Sequence, residues 1–231
     1  AYLANISYVD DHVGNMIEVL DRHNMRENTV VVFTADHGDM LGERGLWYKM
    51  NFFEHSARVP LIVHSPTRFG ASRVATLSSL LDIAPTLLDL AGLEVPNAMD
   101  GHSLVPQLGG FEDMLRTVEG EYLGEGAVAP IFMLRRGNLK YIFSQPDGDQ
   151  LYDLNVDPQE LNNVVDSPEY LADAASFQSE VMDRWNMSQI LVDVLDSQAN
   201  RRVVDHALRK GQYSAWDFQP TTDASGQYMR N

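Results

Sequence analysis

Not one of the 231 residues is a cysteine, which removes a disulfide framework, a thiolate metal site and a cysteine nucleophile from this chain. There is no apolar run near the roughly 18 residues that a membrane-spanning helix requires. Positive charge is scarce: 17 Lys and Arg stand against 33 Asp and Glu, for a formal net charge of −16. That balance argues against a nucleic-acid or anionic-membrane partner and is compatible with solubility. An anionic substrate would therefore have to be drawn in by local positive charge, because the overall field repels it. Internal repeats and low-complexity tracts are absent too. The chain opens on Ala1 instead of Met, inside a helical pattern of Leu3, Ile6, Val9, Val13, Met16, Ile17 and Leu20. A start in mid-element is what a fragment of a longer protein would show, so the lack of a signal peptide says nothing about export.

Hydrophobic residues make up 44% of the chain, ample for a core. The stretch with most chemistry begins at Thr29-Val30-Val31-Val32-Phe33-Thr34, an apolar run without alternation, as expected of a strand buried on both faces in a parallel sheet. It ends at Ala35-Asp36-His37-Gly38-Asp39, and ligands of open α/β sheets collect at the carboxyl ends of strands. A carboxylate beside an imidazole suits a divalent cation, and Gly38 lets the backbone turn away closely. Lys49 follows among Leu46, Trp47, Tyr48, Met50, Phe52 and Phe53. A lysine in such company is either a snorkelling surface residue or a fixed charge aimed at an anion. On spacing alone, Asp36-His37 also reads as a turn or cap. Glu54 and Arg58, four apart, read as a helical ion pair.

Downstream, Pro60–His64 reads as a second strand. Leu77–Leu93 reads as a helix that Pro85 either kinks or restarts. Strand–helix alternation up to Gly109-Gly110 implies α/β layering. Beyond it, Val118–Tyr122, Pro130–Leu134, Leu139–Phe143 and Leu151-Tyr152 are short strands expected to form an antiparallel sheet with a flanking helix. From Asn163 the pattern is helical, with Ala172, Ala175, Phe177, Val181 and Trp185 on one face, and Leu191–Leu208 forms another helix ended by Gly211. These textures set expected boundaries at 1–110 (α/β core), 111–165 (small antiparallel β subdomain), 166–212 (helical segment) and 213–231 (aromatic and acidic tail).

Several of these stretches stand in a familiar order along the chain. Asp36-His37-Gly38, Gly42-Glu43, Lys49 and Glu54-x-x-x-Arg58-Val59-Pro60-Leu61-Ile62-Val63 resemble the type I sulfatases of the alkaline-phosphatase superfamily. The likeness continues through Tyr8–Gly14, Leu81–Leu88, Asp100–Leu104, Leu151–Leu154 and Asp157-Pro158-x-Glu160-x-x-Asn163. It thus covers roughly residues 2 to 165. Gly42–Met50, Glu121–Gly126, Arg135-Arg136-Gly137 and Trp216–Pro220 are most similar to the choline-sulfatase branch of that family.

The resemblance implies an α/β fold: the C-terminal part of an alkaline-phosphatase-like mixed sheet sandwiched by helices, followed by a small antiparallel-sheet plus helix subdomain. It implies hydrolysis of a sulfate ester, choline O-sulfate, by a formylglycine nucleophile with a divalent cation, Ca2+ first and Mn2+ or Mg2+ as alternatives. Asp36 would ligate the cation, and His37 would ligate it or hydrogen-bond the nucleophile. Lys49 would bind a sulfate oxygen and stabilise charge on the leaving group. The departure from the family pattern is large. There is no cysteine, Ser56-Ala57-Arg58-Val59 does not match the nucleophile motif, and Asp10-Asp11 lie within a helix rather than after a strand. The nucleophile and the first metal-binding aspartates are therefore expected in a missing N-terminal half, and the chain alone is expected to be inactive. A phosphonate monoester hydrolase or phosphodiesterase of the same superfamily, or a non-catalytic module that keeps the fold, are the other readings.

Two further expectations concern substrate and assembly. Glu125, between two glycines, is the first candidate for the carboxylate facing the trimethylammonium end of the substrate. The tail from Tyr213, with Trp216, Asp217, Phe218 and Asp223, interleaves aromatics and carboxylates, which suits a quaternary ammonium or a neighbouring subunit, while on composition alone it also reads as a frayed terminus. A homo-oligomer with this tail at an interface is expected, as is a cytoplasmic setting.

Overall fold

The computed structural model describes residues 2–124 and 126–211. Two compact units divide the chain, Ala1–Arg184 and Trp185–Asn231.

The first unit opens with α1 (Tyr2–Arg22), followed by a short turn at Arg26–Asn28 and strand β1 (Val31–Thr34). Leu3, Ile6, Val9 and Met16 of α1 stay exposed, Val13, Ile17 and Leu20 are half-buried, and the helix has no fully buried residue. β1 pairs with β2 (Leu61–His64) in antiparallel register, Val31 opposite His64 and Thr34 opposite Leu61. This departs from the parallel neighbours expected of an unbroken apolar run. The physical reason is the path of the chain beyond β1. Residues 38–56 fold back on themselves, so that the single turn α2 (Glu54–Ala57) delivers β2 alongside β1 in the opposite direction. All four β1 residues are half-buried.

One face of this ribbon meets α3 (Ile83–Leu90), and Val32, Leu61, Val63, Ile83, Leu87 and Leu104 line a shared apolar crevice. The expected single helix over Leu77–Leu93 is shorter. Ser79 caps a tight turn at Leu80–Asp82, and the α-helix starts only at Ile83, with Pro85 buried in its first turn. Proline is tolerated there because the first helical N–H groups have no intrahelical partner. Asp82 is fully buried and explains both downstream motifs. Its Oδ2 accepts from the Ser79 N–H (2.7 Å), its Oδ1 accepts from the His102 N–H (3.0 Å), and Arg116 donates to both oxygens (2.7 and 2.8 Å). Thr86 accepts from the Leu104 N–H just ahead of α4 (Val105–Leu108).

The expected antiparallel sheet is present as a four-stranded meander: β3 (Thr117–Tyr122), β4 (Ile131–Arg136), β5 (Leu139–Ser144) and β6 (Gln150–Asp153), in that spatial order. Registers place Met133 opposite Ile142 and Arg135 opposite Lys140, with Tyr152 beside Lys140. Because side chains alternate along a strand, these residues share one face, and Phe132, Leu134, Tyr141 and Phe143 share the other. α5 (Leu171–Arg184) covers the second face, with the Tyr141 and Phe177 rings stacked 5.7 Å apart and Arg136 bound to Glu180 at 2.5 Å. Its buried residues are Ala174, Phe177 and Val181. Ala174 replaces the expected Ala172 and Ala175, because the i, i+3, i+7 row through Phe177 and Val181 starts at 174. The first face is covered by Phe52 and Phe53, which pack on Met133, Ile142 and Tyr152. Gly120 makes room there: a Cβ at that position would lie 2.6 Å from the Phe52 ring.

In the second unit, α6 (Met187–Leu208) begins earlier than the expected Leu191, because the Asn186 side chain accepts from the Gln189 N–H and caps it. Leu191, Val192, Leu195, Val203, Val204 and Leu208 are all exposed on it. No helix among the described residues is long and apolar enough to cross a membrane.

Candidate active site

The carboxyl end of β1 brings Asp36, His37 and Lys49 together. The Asp36 carboxylate folds back onto the chain, its Oδ1 accepting from the His37 N–H at 2.9 Å, and its Oδ2 lies 3.4 Å from His37 Nε2. His37 Nδ1 is 2.8 Å from the Gly38 carbonyl, and Nε2 is 2.7 Å from Lys49 Nζ. A carbonyl only accepts, so Nδ1 carries the proton, and Nε2 presents its lone pair to the ammonium. A carboxylate oxygen, an imidazole lone pair and an ammonium therefore converge at one exposed point.

The loop carrying Lys49 is closed by its own backbone. Gly38 N–H donates to the Ser56 carbonyl (2.7 Å), Met40 N–H to Tyr48 (2.8 Å) and Gly42 N–H to Leu46 (2.9 Å). The Ser56 hydroxyl donates to the Lys49 carbonyl. At Gly38 a Cβ would sit 2.0 Å from the His55 carbonyl oxygen, so the closure is possible only with glycine. Gly38→Ala is expected to separate the two ends of the loop and lower unfolding free energy by about 1–3 kcal/mol. Urea unfolding of the two proteins checks this, and an unchanged midpoint with an unchanged slope would refute the close approach.

Sequence reasoning paired Glu54 with Arg58, and the structure keeps that ion pair, loosely, at 4.0 Å with the Arg58 side chain 75% exposed. The closer partners of Glu54, which the sequence did not point to, are Lys140 at 2.6 Å and Arg135 at 3.1 Å, from the β4–β5 face. Burial raises the Glu54 pKa, but the charge and hydrogen bond of Lys140, then Arg135 and Arg58, outweigh it and hold the carboxyl below its ordinary value. Arg44 was also missed. Its guanidinium stacks 4.1 Å above the Phe53 ring and 5.7 Å from the Tyr152 ring, and it pins the tip of the loop. The signal available for it was its place between Gly42 and Gly45, where the chain turns through left-handed conformations at Gly42, Arg44 and Gly45. Trp47 and Tyr48, next to Lys49, stay exposed at 64% and 61%.

Asp36 and His37 can be tested as cation ligands. Metal–donor bonds of about 2.4 Å at right angles put neighbouring donors about 3.4 Å apart. The observed Oδ2–Nε2 separation is 3.4 Å, and both atoms carry lone pairs. The spacing fits two positions of a divalent-cation site, and His37 would fill one of them only once its Nε2 lone pair is released from Lys49, 2.7 Å away. Among the described residues no group of three or more His, Asp or Glu side chains gathers to complete one. Glu125 and the tail from residue 213 lie outside the described residues.

The fold is that of the alkaline-phosphatase-like sulfatases. A solved protein bound to its substrate D-glucosamine-2-N,6-O-disulfate superposes with a TM-score of 0.66 at 31% identity, covering 84% of this chain and 40% of that one. The phosphonate monoester hydrolase of Agrobacterium radiobacter superposes with a TM-score of 0.67 at 29% identity, covering 77% and 39%. Residues 1–93 match the sulfatase family and residues 192–231 match the choline sulfatase enzyme C-terminal family. The chain belongs to the sulfatase family. It is 46% identical to the choline-sulfatase of Rhizobium meliloti (strain 1021) over 237 residues, covering 100% of this chain and 46% of that relative. The chain thus spans about half the length of the curated choline-sulfatase it matches.

Proposed function

We propose that this chain forms part of a sulfuric ester hydrolase that cleaves choline O-sulfate to choline and sulfate. The observation that carries the reading is the 46% identity to choline-sulfatase along the whole chain, supported by the C-terminal family match at residues 192–231. In this reading the formylglycine nucleophile falls in the part of the relative's length that this chain does not span.

The chain's own residues supply charge and orientation. Lys49 Nζ is the local positive charge that a strongly acidic chain needs in order to hold an anion, and it neutralises a sulfate oxygen as charge builds on the leaving group. Asp36 Oδ2, and His37 Nε2 once freed from Lys49, are the donors proposed for a divalent cation, Ca2+ in first place, which when bound would polarise the sulfate oxygens. The Gly38 carbonyl holds the His37 ring with Nε2 facing Lys49 and Asp36. Glu125 is the proposed carboxylate for the trimethylammonium end, and the tail from Tyr213 is proposed to dock on a second subunit.

The direct test is turnover of choline O-sulfate by the complete gene product, assayed beside an alkyl sulfate and a phosphonate monoester. The TM-score of 0.67 to a phosphonate monoester hydrolase makes phosphonate cleavage the second reading, and the ratio of the two kcat/KM values decides between them. Turnover of neither class would leave the non-catalytic reading. Glu125→Gln is expected to raise KM for choline O-sulfate about tenfold while moving that for a neutral aryl sulfate less than about twofold, as befits loss of one charge partner to a cation. Equal effects on both substrates would remove Glu125 from the site.

A further inference from the structure

Beneath the loop that carries Lys49 lies a buried charge cluster that takes no part in holding the substrate or the cation. Lys140, in the middle of β5, is 1% exposed, and Glu160 is fully buried. Lys140 Nζ donates to Glu160 Oε1 (2.7 Å) and to the Phe52 carbonyl (2.9 Å), and lies 2.6 Å from Glu54 Oε1. The second Glu160 oxygen, Oε2, accepts from the Glu54 N–H at 2.7 Å. Arg135 completes the set against Glu54.

We propose that the Glu54–Lys140–Glu160 cluster positions Lys49, setting the ammonium against His37 and hence against the sulfate of the substrate. The claim rests on the sulfatase reading of Lys49. The path is short. The cluster fixes the carbonyl of residue 52 and the N–H of residue 54, which are the entry to the turn of α2. Ser56 in that turn is itself buried; its hydroxyl donates to the Lys49 carbonyl and its carbonyl receives the Gly38 N–H, next to His37. Both ends of the His37–Lys49 contact are therefore held through Ser56, and Ser56 is held by the cluster. Packing alone would not require charge here, since apolar residues of similar volume fill a buried site at lower desolvation cost. What ionised groups add is direction: each of these bonds accepts only one placement of the 52–54 backbone. Phe52 and Phe53 supply the bulk contact with the sheet, and the cluster sets its register.

Glu160, Lys140 and Glu54 are thus positioning residues, and a double-mutant cycle separates this role from a purely structural one. In the complete gene product, kcat/KM for an aryl sulfate and the inhibition constant of inorganic sulfate are measured for Glu160→Gln, Lys49→Ala and the double variant, at a temperature where circular dichroism shows each folded. A glutamine cannot accept both from Lys140 and from the Glu54 N–H with equal geometry, since one of its two positions is a donor. Glu160→Gln is expected to lower kcat/KM about 10–100-fold, as loss of an orienting partner does, and to weaken sulfate inhibition. In the Lys49→Ala background the same change is expected to alter kcat/KM less than about threefold, because the group being positioned is gone. Ser56→Ala, which removes the last link without touching a charge, gives the same non-additivity should Glu160→Gln not fold. A Glu160→Gln loss that carries over in full to the Lys49→Ala background would overturn the proposal, as would an unchanged kcat/KM in the single variant. An unsubstituted protein that turns over no sulfate ester defeats the sulfatase reading first and takes the proposal with it. An active protein with additive variants defeats the proposal alone.

Discussion

Lys49→Ala is expected to lower kcat/KM for a sulfate ester by about 10²–10³-fold, the cost of removing one preorganised donor from developing negative charge. The geometry gives three reasons to place the effect so high. The ammonium stands 2.7 Å from His37 Nε2, so it is already ordered before any anion arrives. It sits on a loop closed at three backbone pairs, from Gly38–Ser56 to Gly42–Leu46, which limits how far another group could move in to replace it. And the chain as a whole carries a formal net charge of −16, a field that opposes anion entry. Steady-state kinetics with leaving groups of different pKa provide the check. Loss of charge neutralisation on the leaving oxygen makes poor leaving groups suffer most, so the ratio between poor and good substrates should widen in the variant. Lys49→Arg should recover only part of the activity, since a planar fork replaces a point charge. A variant within about threefold of the unsubstituted enzyme across the whole series would take Lys49 out of the catalytic machinery.

The parts of this site that were legible in the sequence are those written locally. An apolar strand that stops at Asp36-His37-Gly38, with a lone lysine twelve residues on, needs only strand geometry and a tight turn to bring the three together, and the structure does so within hydrogen-bonding distance. The four-stranded meander was legible for the same reason, since each short strand is bounded by its own turn. What could not be read is how the loop is anchored. Locally, Glu54 has Arg58 one helical turn away, but its close partners, Arg135 and Lys140, come from far downstream, on a sheet whose placement against Phe52 no local pattern specifies. Lys140 did leave a signal. In Leu139-Lys140-Tyr141-Ile142-Phe143 it shares a face with Ile142, and a lysine at an inward position of a strand with apolar neighbours on both sides asks for a buried counter-charge. Glu160, downstream in Asp157-Pro158-x-Glu160, answers it. The pairing of β1 failed for a different reason: an unbroken apolar run reports burial on two faces and is silent on the direction of its neighbour.

The second large effect is on stability. Lys140→Met is expected to destabilise the fold by about 3–5 kcal/mol, because removing one member of a buried ion cluster leaves charge without compensation. Methionine fills most of the lysine stem's volume, so the loss reports electrostatics and hydrogen bonds more than a cavity. Three contacts vanish together: the bond to the Phe52 carbonyl, the bond to Glu160 and the pairing with Glu54. Glu54 retains Arg135, whereas fully buried Glu160 retains the Glu54 N–H and loses the ammonium. The pH dependence tells this apart from a packing defect. Although burial raises the Glu54 pKa, Lys140 and the two arginines lower it further, so that it lies below its ordinary 4.5 in the folded protein. A depressed carboxyl pKa contributes stability that is fully present above the unfolded value and is lost as pH falls through the folded value. The unsubstituted protein should therefore lose stability as pH drops below about 4.5, in company with Glu180, which burial raises but Arg136 and Arg184 hold low. In Lys140→Met the strongest depressing influence on Glu54 is gone while burial still raises it, so the acid limb should flatten and the gap between the two proteins should narrow as pH falls. Urea unfolding at several pH values between about 3 and 7 measures both the gap and its slope. A constant gap across that range would mean that Lys140 contributes packing and no ionic contact, and the anchoring of the Lys49 loop would then rest on Phe52, Phe53 and Arg44.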